Sequence, residues 1–123
     1  MYKIQSNPTK NRLYITIEGK INMDEVEDTI AEIKAGCQKL KSGFSVISDI
    51  ATFIPVDEEV RQKIADTMKY LVEHGMGKVI RVIVDSPTSQ VTGFQWQRTS
   101  KEAGYTADIA PSIEEAERIL DQN

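Results

Sequence analysis

Residues 44–60, FSVISDIATFIPVDEEV, constrain the fold more than any other stretch of this chain. They read as a buried strand ending at Asp49, a short loop, and a helix opening on three acids, Asp57, Glu58 and Glu59. A ligand or partner site often lies where a strand hands over to a helix N-terminus, because backbone N–H groups point outward there. This chain places its own negative charge in that position. The arrangement suggests a fold and a kind of partner, and it names no reaction.

The flanking sequence extends the same alternation. Residues 2–6 predict a short strand, followed by a turn through Asn7-Pro8 and Lys10-Asn11. Residues 13–19 alternate, with Leu13, Ile15 and Ile17 on one face and Tyr14, Thr16 and Glu18 on the other. That pattern predicts a half-buried antiparallel hairpin. Asn22 with Glu25 forms a capping-box pair ahead of a helix. Met23, Val26, Ile30, Ile33, Cys37 and Leu40 make its apolar stripe, stepping by three and four residues.

The strand at 44–50 follows, then a helix with Val60, Ile64, Met68, Leu71 and Val72 on one face, ended by Gly75 and Gly77. Residues 79–84 form a third strand, apolar except for Arg81 and therefore expected inside the sheet. After Ser86-Pro87 a helix runs to about Ala103 and stops at Gly104. Residues 105–109 predict a weak strand. Ser112 with Glu115 opens a terminal helix that buries Ile113, Ala116 and Leu120. The order is ββαβαβαβα, which requires an α/β fold with a mixed, mostly parallel sheet of about five strands. Residues 1–123 read as one domain, with no internal repeat or linker.

Charge and composition narrow the function. Fifteen Lys and Arg stand against 19 Asp and Glu, a net charge of −4. A nucleic-acid surface needs clustered positive charge, so no nucleic-acid partner is expected. The opening MYKIQSNPTKNR has no apolar core of a signal peptide, and no apolar run nears the roughly 20 residues of a membrane span. The lone Cys37 excludes an internal disulfide. A cytoplasmic location is the expectation.

The strand order and two segments resemble the STAS domain, and in particular the SpoIIAA-like family of small anti-sigma factor antagonists. One segment is Ile47-Ser48-Asp49-Ile50-Ala51-Thr52 running on to Asp57-Glu58-Glu59-Val60. The other is Val82-Ile83-Val84-Asp85-Ser86-Pro87, then Ser100-Lys101-Glu102-Ala103-Gly104 and Ser112-Ile113-Glu114-Glu115-Ala116-Glu117. The resemblance implies a non-enzymatic regulatory module acting through protein–protein contact, in a bacterial or archaeal signalling pathway. In that family a Ser-Ser-Gly-like segment opens the helix after the Asp-ending strand, and a serine there is phosphorylated by the partner kinase. Here that place holds Glu58-Glu59-Val60, without a hydroxyl. A phosphoserine brings roughly −1.5 to −2 charge; this chain carries permanent acids instead. The resemblance with this departure implies binding without the phosphoswitch.

The expected partner-binding residues are Thr52, Phe53, Asp57, Glu58, Glu59 and Trp96. The three acids have a second reading, since acids in a first helical turn complement the helix dipole without any partner. Trp96 and Ala103 point to a different side of the third helix from Val91 and Phe94, with Arg98, Lys101 and Glu102 near the latter direction. One apolar group would then line a pocket or meet another chain, so a homodimer is a further possibility.

The alternative function is binding of a small apolar or lipid-like ligand by a related fold, in a pocket lined by Phe53, Ile54, Met76, Phe94 and Trp96. Catalysis has little support. One Cys on an apolar stripe and one His in a last helical turn make neither a nucleophile pair nor a metal site. Neither GxGxxG nor GxxxxGK[ST] occurs, so no cofactor is called for.

Overall fold

The computed structural model describes residues 1–50, 52–54, 58–83, 96–98 and 100–122. Its five strands lie in sequence order across one sheet: β1 (Tyr2–Asn7), β2 (Arg12–Ile17), β3 (Ser45–Asp49), β4 (Val79–Val82) and β5 (Asp108–Ala110). β1 pairs antiparallel with β2, and every later pairing is parallel. Helices α1 (Met23–Gln38), α2 (Glu58–Glu73) and α3 (Ile113–Asp121) are joined by a helical segment at residues 96–98 and 100–103.

The period-two pattern of β2 divides the molecule into two layers. Leu13, Ile15 and Ile17 enter the main core with Val46, Val79, Val26, Ile33, Ile64 and Leu71, under α1 and α2. The odd-even partners on the other face, Ile47, Ile80, Val82 and Ala110, meet Ala116 and Leu120 of α3 in a smaller core. α1 opens on the expected capping box: Glu25 N–H donates to Asn22 Oδ1 at 2.9 Å, and Asn22 N–H to the Glu25 carboxylate at 3.3 Å. At α3 only half of that device is present. Ser112 Oγ accepts from Glu115 N–H at 3.1 Å, while the Glu115 carboxylate turns outward to Arg118.

Strand and helix ends shift by a residue or two from the sequence expectation, and three of the differences have a visible cause or limit. α1 ends at Gln38, with Lys39 as its cap, so Leu40 packs on the core from the following turn. β5 starts at Asp108 and not at residue 105, because Tyr105 is still engaged in ending the preceding helical segment. Tyr105 N–H bonds Ser100 O at 3.1 Å and Gly104 N–H bonds Lys101 O at 3.2 Å, with Gly104 at φ 91°. That is a Schellman cap, and it withholds Tyr105 from the sheet. The described part of the third strand stops at Val82; Val84 lies outside the described residues.

The two ends of β3 and β4 are tied differently. At their start the backbones of two loops interlock: Gly43 N–H donates to Gly75 O and Gly77 N–H to Phe44 O, each at 2.7 Å. A Cβ on Gly77 would sit 2.9 Å from Gly43 O. Gly77→Ala should therefore cost about 1–3 kcal/mol, the range for forced overpacking, read as a lower urea midpoint. An unchanged midpoint would show that the two loops part freely.

α3 is pinned to the outer face of the sheet by charge as well as by its small core. Arg12, 4% exposed, reaches Glu117 at 3.2 Å and Asp121 at 3.0 Å, and Tyr14 also hydrogen-bonds Glu117. Burial works against the Arg12 charge, but Asp121, Tyr14 and Glu117 outweigh it and raise the Arg12 pKa. Arg12 in turn holds the Asp121 carboxyl below its usual range. A carboxyl depressed in the folded state stabilises above its unfolded pKa, and that contribution is lost as pH falls through the folded value. Thermal stability should thus decline below about pH 4, and Asp121→Asn should flatten the decline. Superimposable acid profiles for the two proteins would remove Asp121 from the account.

Candidate functional site at the C-terminal ends of the strands

Beyond β3 the chain keeps a short stretch of extended pairing. Gly19 and Phe53 form a parallel bridge, with Gly19 N–H bonded to Thr52 O and Ile54 N–H to Gly19 O, both at 3.1 Å. Extended backbone sends successive side chains to opposite sides. Phe53 consequently points inward and is fully buried, whereas Thr52 is exposed and Ile54 is 41% exposed. Pairing with Gly19 makes this loop an edge with a fixed inside and outside.

Phe53 does not meet solvent or a partner as the sequence pattern suggested. It stacks on Trp96, with ring centroids 5.4 Å apart and planes 18° apart, and Trp96 is itself only 2% exposed. Both rings belong to the main core. Trp96 and Ala103 point to the same buried side of their helical segment, as their spacing indicated, and that side faces the sheet. The two aromatics support the surface formed by Thr52 and Ile54 from beneath.

At the start of α2, Glu58 and Glu59 are exposed, as expected for acids in a first turn. Glu58 is not a free charge: Arg61 grips it at 2.6 Å and reaches Glu102 of the 100–103 segment at 3.0 Å. Arg61 holds the Glu58 carboxyl below its ordinary range. Glu58 and then Glu102 raise the Arg61 pKa in return. This three-residue bridge fastens the helix start to the neighbouring helical segment. Among the described residues no ion pair involves Glu59. Asp57 and Phe94, named from the sequence, lie outside the described residues.

The side chains suggested for an apolar ligand pocket are not brought together. Met76 is half-buried past the C-terminus of α2, beside the Gly43–Gly77 interlock. Phe53, Ile54 and Trp96 sit toward its N-terminal end, and 16 helical residues span about 24 Å. Phe53 and Trp96 fill their own space by stacking.

Two buried arginines went unnoticed as candidates because a strand pattern reports only which face a residue takes. Arg12 is described above. Arg81, also 4% exposed, lies on the inner face of β4, paired in register with Ser48 and Ile109. It donates to Ser100 Oγ, which in turn donates to Trp96 O at 2.8 Å. Burial pushes the Arg81 pKa down, and the nearby Tyr105 hydroxyl opposes that shift. The one signal in the sequence was an arginine in an otherwise apolar strand.

Cys37 and His74 each have a structural place of their own. Cys37 is buried on α1, where burial raises its thiol pKa and keeps it protonated. His74 stacks on Tyr70 at 3.9 Å, with Nδ1 2.8 Å from Tyr70 O. Among the described residues no group of His, Cys, Asp and Glu has the arrangement of a metal site, and no helix is long and apolar enough to cross a membrane.

No protein-family model and no curated protein matches the chain. Among solved structures it is similar to the anti-sigma factor antagonist SpoIIAA in its unphosphorylated form, with a TM-score of 0.62 and 18% sequence identity. That match covers 100% of this chain and 98% of the other. The resemblance read from strand order and two loose segments is thus matched in three dimensions along the whole chain: this protein has the STAS-type α/β fold of SpoIIAA.

Proposed function

We propose that the protein is a non-enzymatic interaction module that meets a protein partner at the C-terminal ends of its strands. The contact surface consists of Thr52, Ile54, Asp57, Glu58 and Glu59. The observation that carries this reading is the exposure of Thr52 and Ile54 beside the acidic start of α2, over a rigid floor of stacked Phe53 and Trp96. An apolar side chain flanked by acids suits a partner that presents an apolar patch ringed by Lys or Arg. Likeness of fold to a protein that antagonises an anti-sigma factor supports the same class of role.

Regulation does not pass through phosphorylation of the first α2 turn, since Glu58-Glu59-Val60 offers no hydroxyl there. The permanent charge makes binding constitutive at that surface. Asp57, Glu58 and Glu59 neutralised together to Asn and Gln form the test. Native mass spectrometry of the tagged wild type, gently recovered from its own cells, should show a second polypeptide that the folded triple variant loses. Retention of that polypeptide at equal occupancy would refute the acidic surface. A bound molecule of a few hundred daltons in place of a polypeptide would refute the module itself.

A further inference from the structure

The two buried arginines are matched in exposure and opposite in company. Arg12 has two carboxylates within 3.2 Å. Arg81 has none among the described residues; its partners are the hydroxyls of Ser100 and Tyr105. A guanidinium stays protonated in proteins, so among the described residues β4 holds a buried positive charge with no carboxylate beside it. Desolvating such a charge is expensive unless an anion or several acceptors offset it. Here the acceptors fall short. Arg81 Nε is buried without an acceptor, as Arg12 Nε is too, but beside Arg81 the indole Nε1 of Trp96 is also unsatisfied, and the Trp96 carbonyl shares Ser100 with Arg81. The cluster has surplus donors and a net charge of one sign.

Beside it, Lys101, Gly104, Tyr105 and Thr106 line a shallow cleft of about 330 Å3. Tyr105 belongs to both places, lining the cleft and facing Arg81. Lys101 is exposed and adds a second positive charge at the mouth. The negative end of the 100–103 helical segment opposes an anion here, but its last carbonyls are already occupied by the Gly104 and Tyr105 N–H groups. Two cations outweigh a capped half-charge.

We propose that Arg81, with Lys101, Tyr105 and Thr106 at the mouth, forms a binding site for a small oxyanion, a phosphoryl or carboxylate group. The anion supplies the counter-charge that the fold gives to Arg12 and withholds from Arg81. This site shares no residue with the protein-contact surface at Thr52, Ile54 and the start of α2, and the inference does not rest on that reading. Because Ser100 links Arg81 to Trp96, a bound anion is felt by the indole.

Trp96 is the single tryptophan, so its indole N–H gives one assignable NMR signal. Titration with inorganic phosphate, and separately with acetate, against chloride at equal ionic strength should move that signal along a saturating curve. Response to phosphate alone identifies a phosphoryl site, and response to both a site that accepts carboxylates as well. Arg81→Met should fold and lose the response. If that variant fails to fold, Lys101→Ala should weaken binding roughly tenfold, as expected for one charge-assisted contact. An indole signal unmoved by either anion overturns the site. So does a response of equal midpoint in the Arg81 variant or, failing that, in the Lys101 variant.

Discussion

Trp96→Ala should destabilise the protein by about 3–5 kcal/mol, the usual cost of removing a large aromatic from a packed core. Native domains are stable by only about 5–15 kcal/mol, so this one change removes a large share of the total. The reason is local. Trp96 is 2% exposed and stacks on Phe53, which is fully buried. The Gly19 bonds fix the backbone on both sides of Phe53 and resist its collapse into the cavity. Trp96→Phe should cost much less, since it keeps most of the ring contact and deletes an indole N–H that has no acceptor. Urea unfolding of the two variants measures both values. A Trp96→Ala loss within about 0.5 kcal/mol would mark a surface residue and return Trp96 to the partner interface. Emission of the wild type should be blue-shifted and resist aqueous quenchers, an independent reading of the same burial.

Ile80→Ala is the second large effect, at about 2–5 kcal/mol. Ile80 is fully buried on the outer face of the sheet, in the small core that holds α3. Among the described residues that core holds Ile47, Ile80, Val82, Ala110, Ala116 and Leu120, with Ile119 packed against it. α3 has nine residues, too few to persist alone in water, so its helicity depends on this contact and on the Arg12 ion pairs. The loss should therefore appear in α3 before the rest of the fold. Amide exchange of residues 116–120 should accelerate more than that of α1 in the Ile80 variant. Equal acceleration of α1 and α3 would show that the two cores open together.

Much of this architecture was legible in the chain. The period of two in residues 13–18 fixed which β2 side chains enter the core, because successive strand residues must take opposite faces. The three- and four-residue steps of Val26, Ile30, Ile33 and Cys37 placed α1 against the sheet, and Asn22 with Glu25 marked its start. Alternation of strand and helix left a mostly parallel sheet as the only economical arrangement, since parallel neighbours need a crossover.

The site was less legible, for reasons visible in its residues. Phe53 and Trp96 stand 43 positions apart (96 minus 53), and nothing local shows that each fills the other's cavity. Exposure of large aromatics near a loop is a fair expectation until the loop pairs with Gly19. Glu58 looked like free charge because its partners, Arg61 one turn on and Glu102 on another element, meet only when two helices lie side by side. Met76 entered a supposed pocket by hydrophobicity alone, and the length of α2 separates it from the aromatics.

Although Ile113, expected in the α3 core, is exposed, the sequence alone determined the order of elements, the buried faces of β2, α1 and α2, and the permanent acids where the resembled family carries a hydroxyl. Those are properties of neighbours along the chain, governed by backbone periodicity and capping. Tertiary structure decided which charges are neutralised and which are not. Arg12 on β2 and Arg81 on β4 are equally buried arginines on opposite faces of one sheet. α3 brings Glu117 and Asp121 to the first, and among the described residues only hydroxyls reach the second, because electrostatic compensation is settled by distances of a few ångströms between elements far apart in sequence.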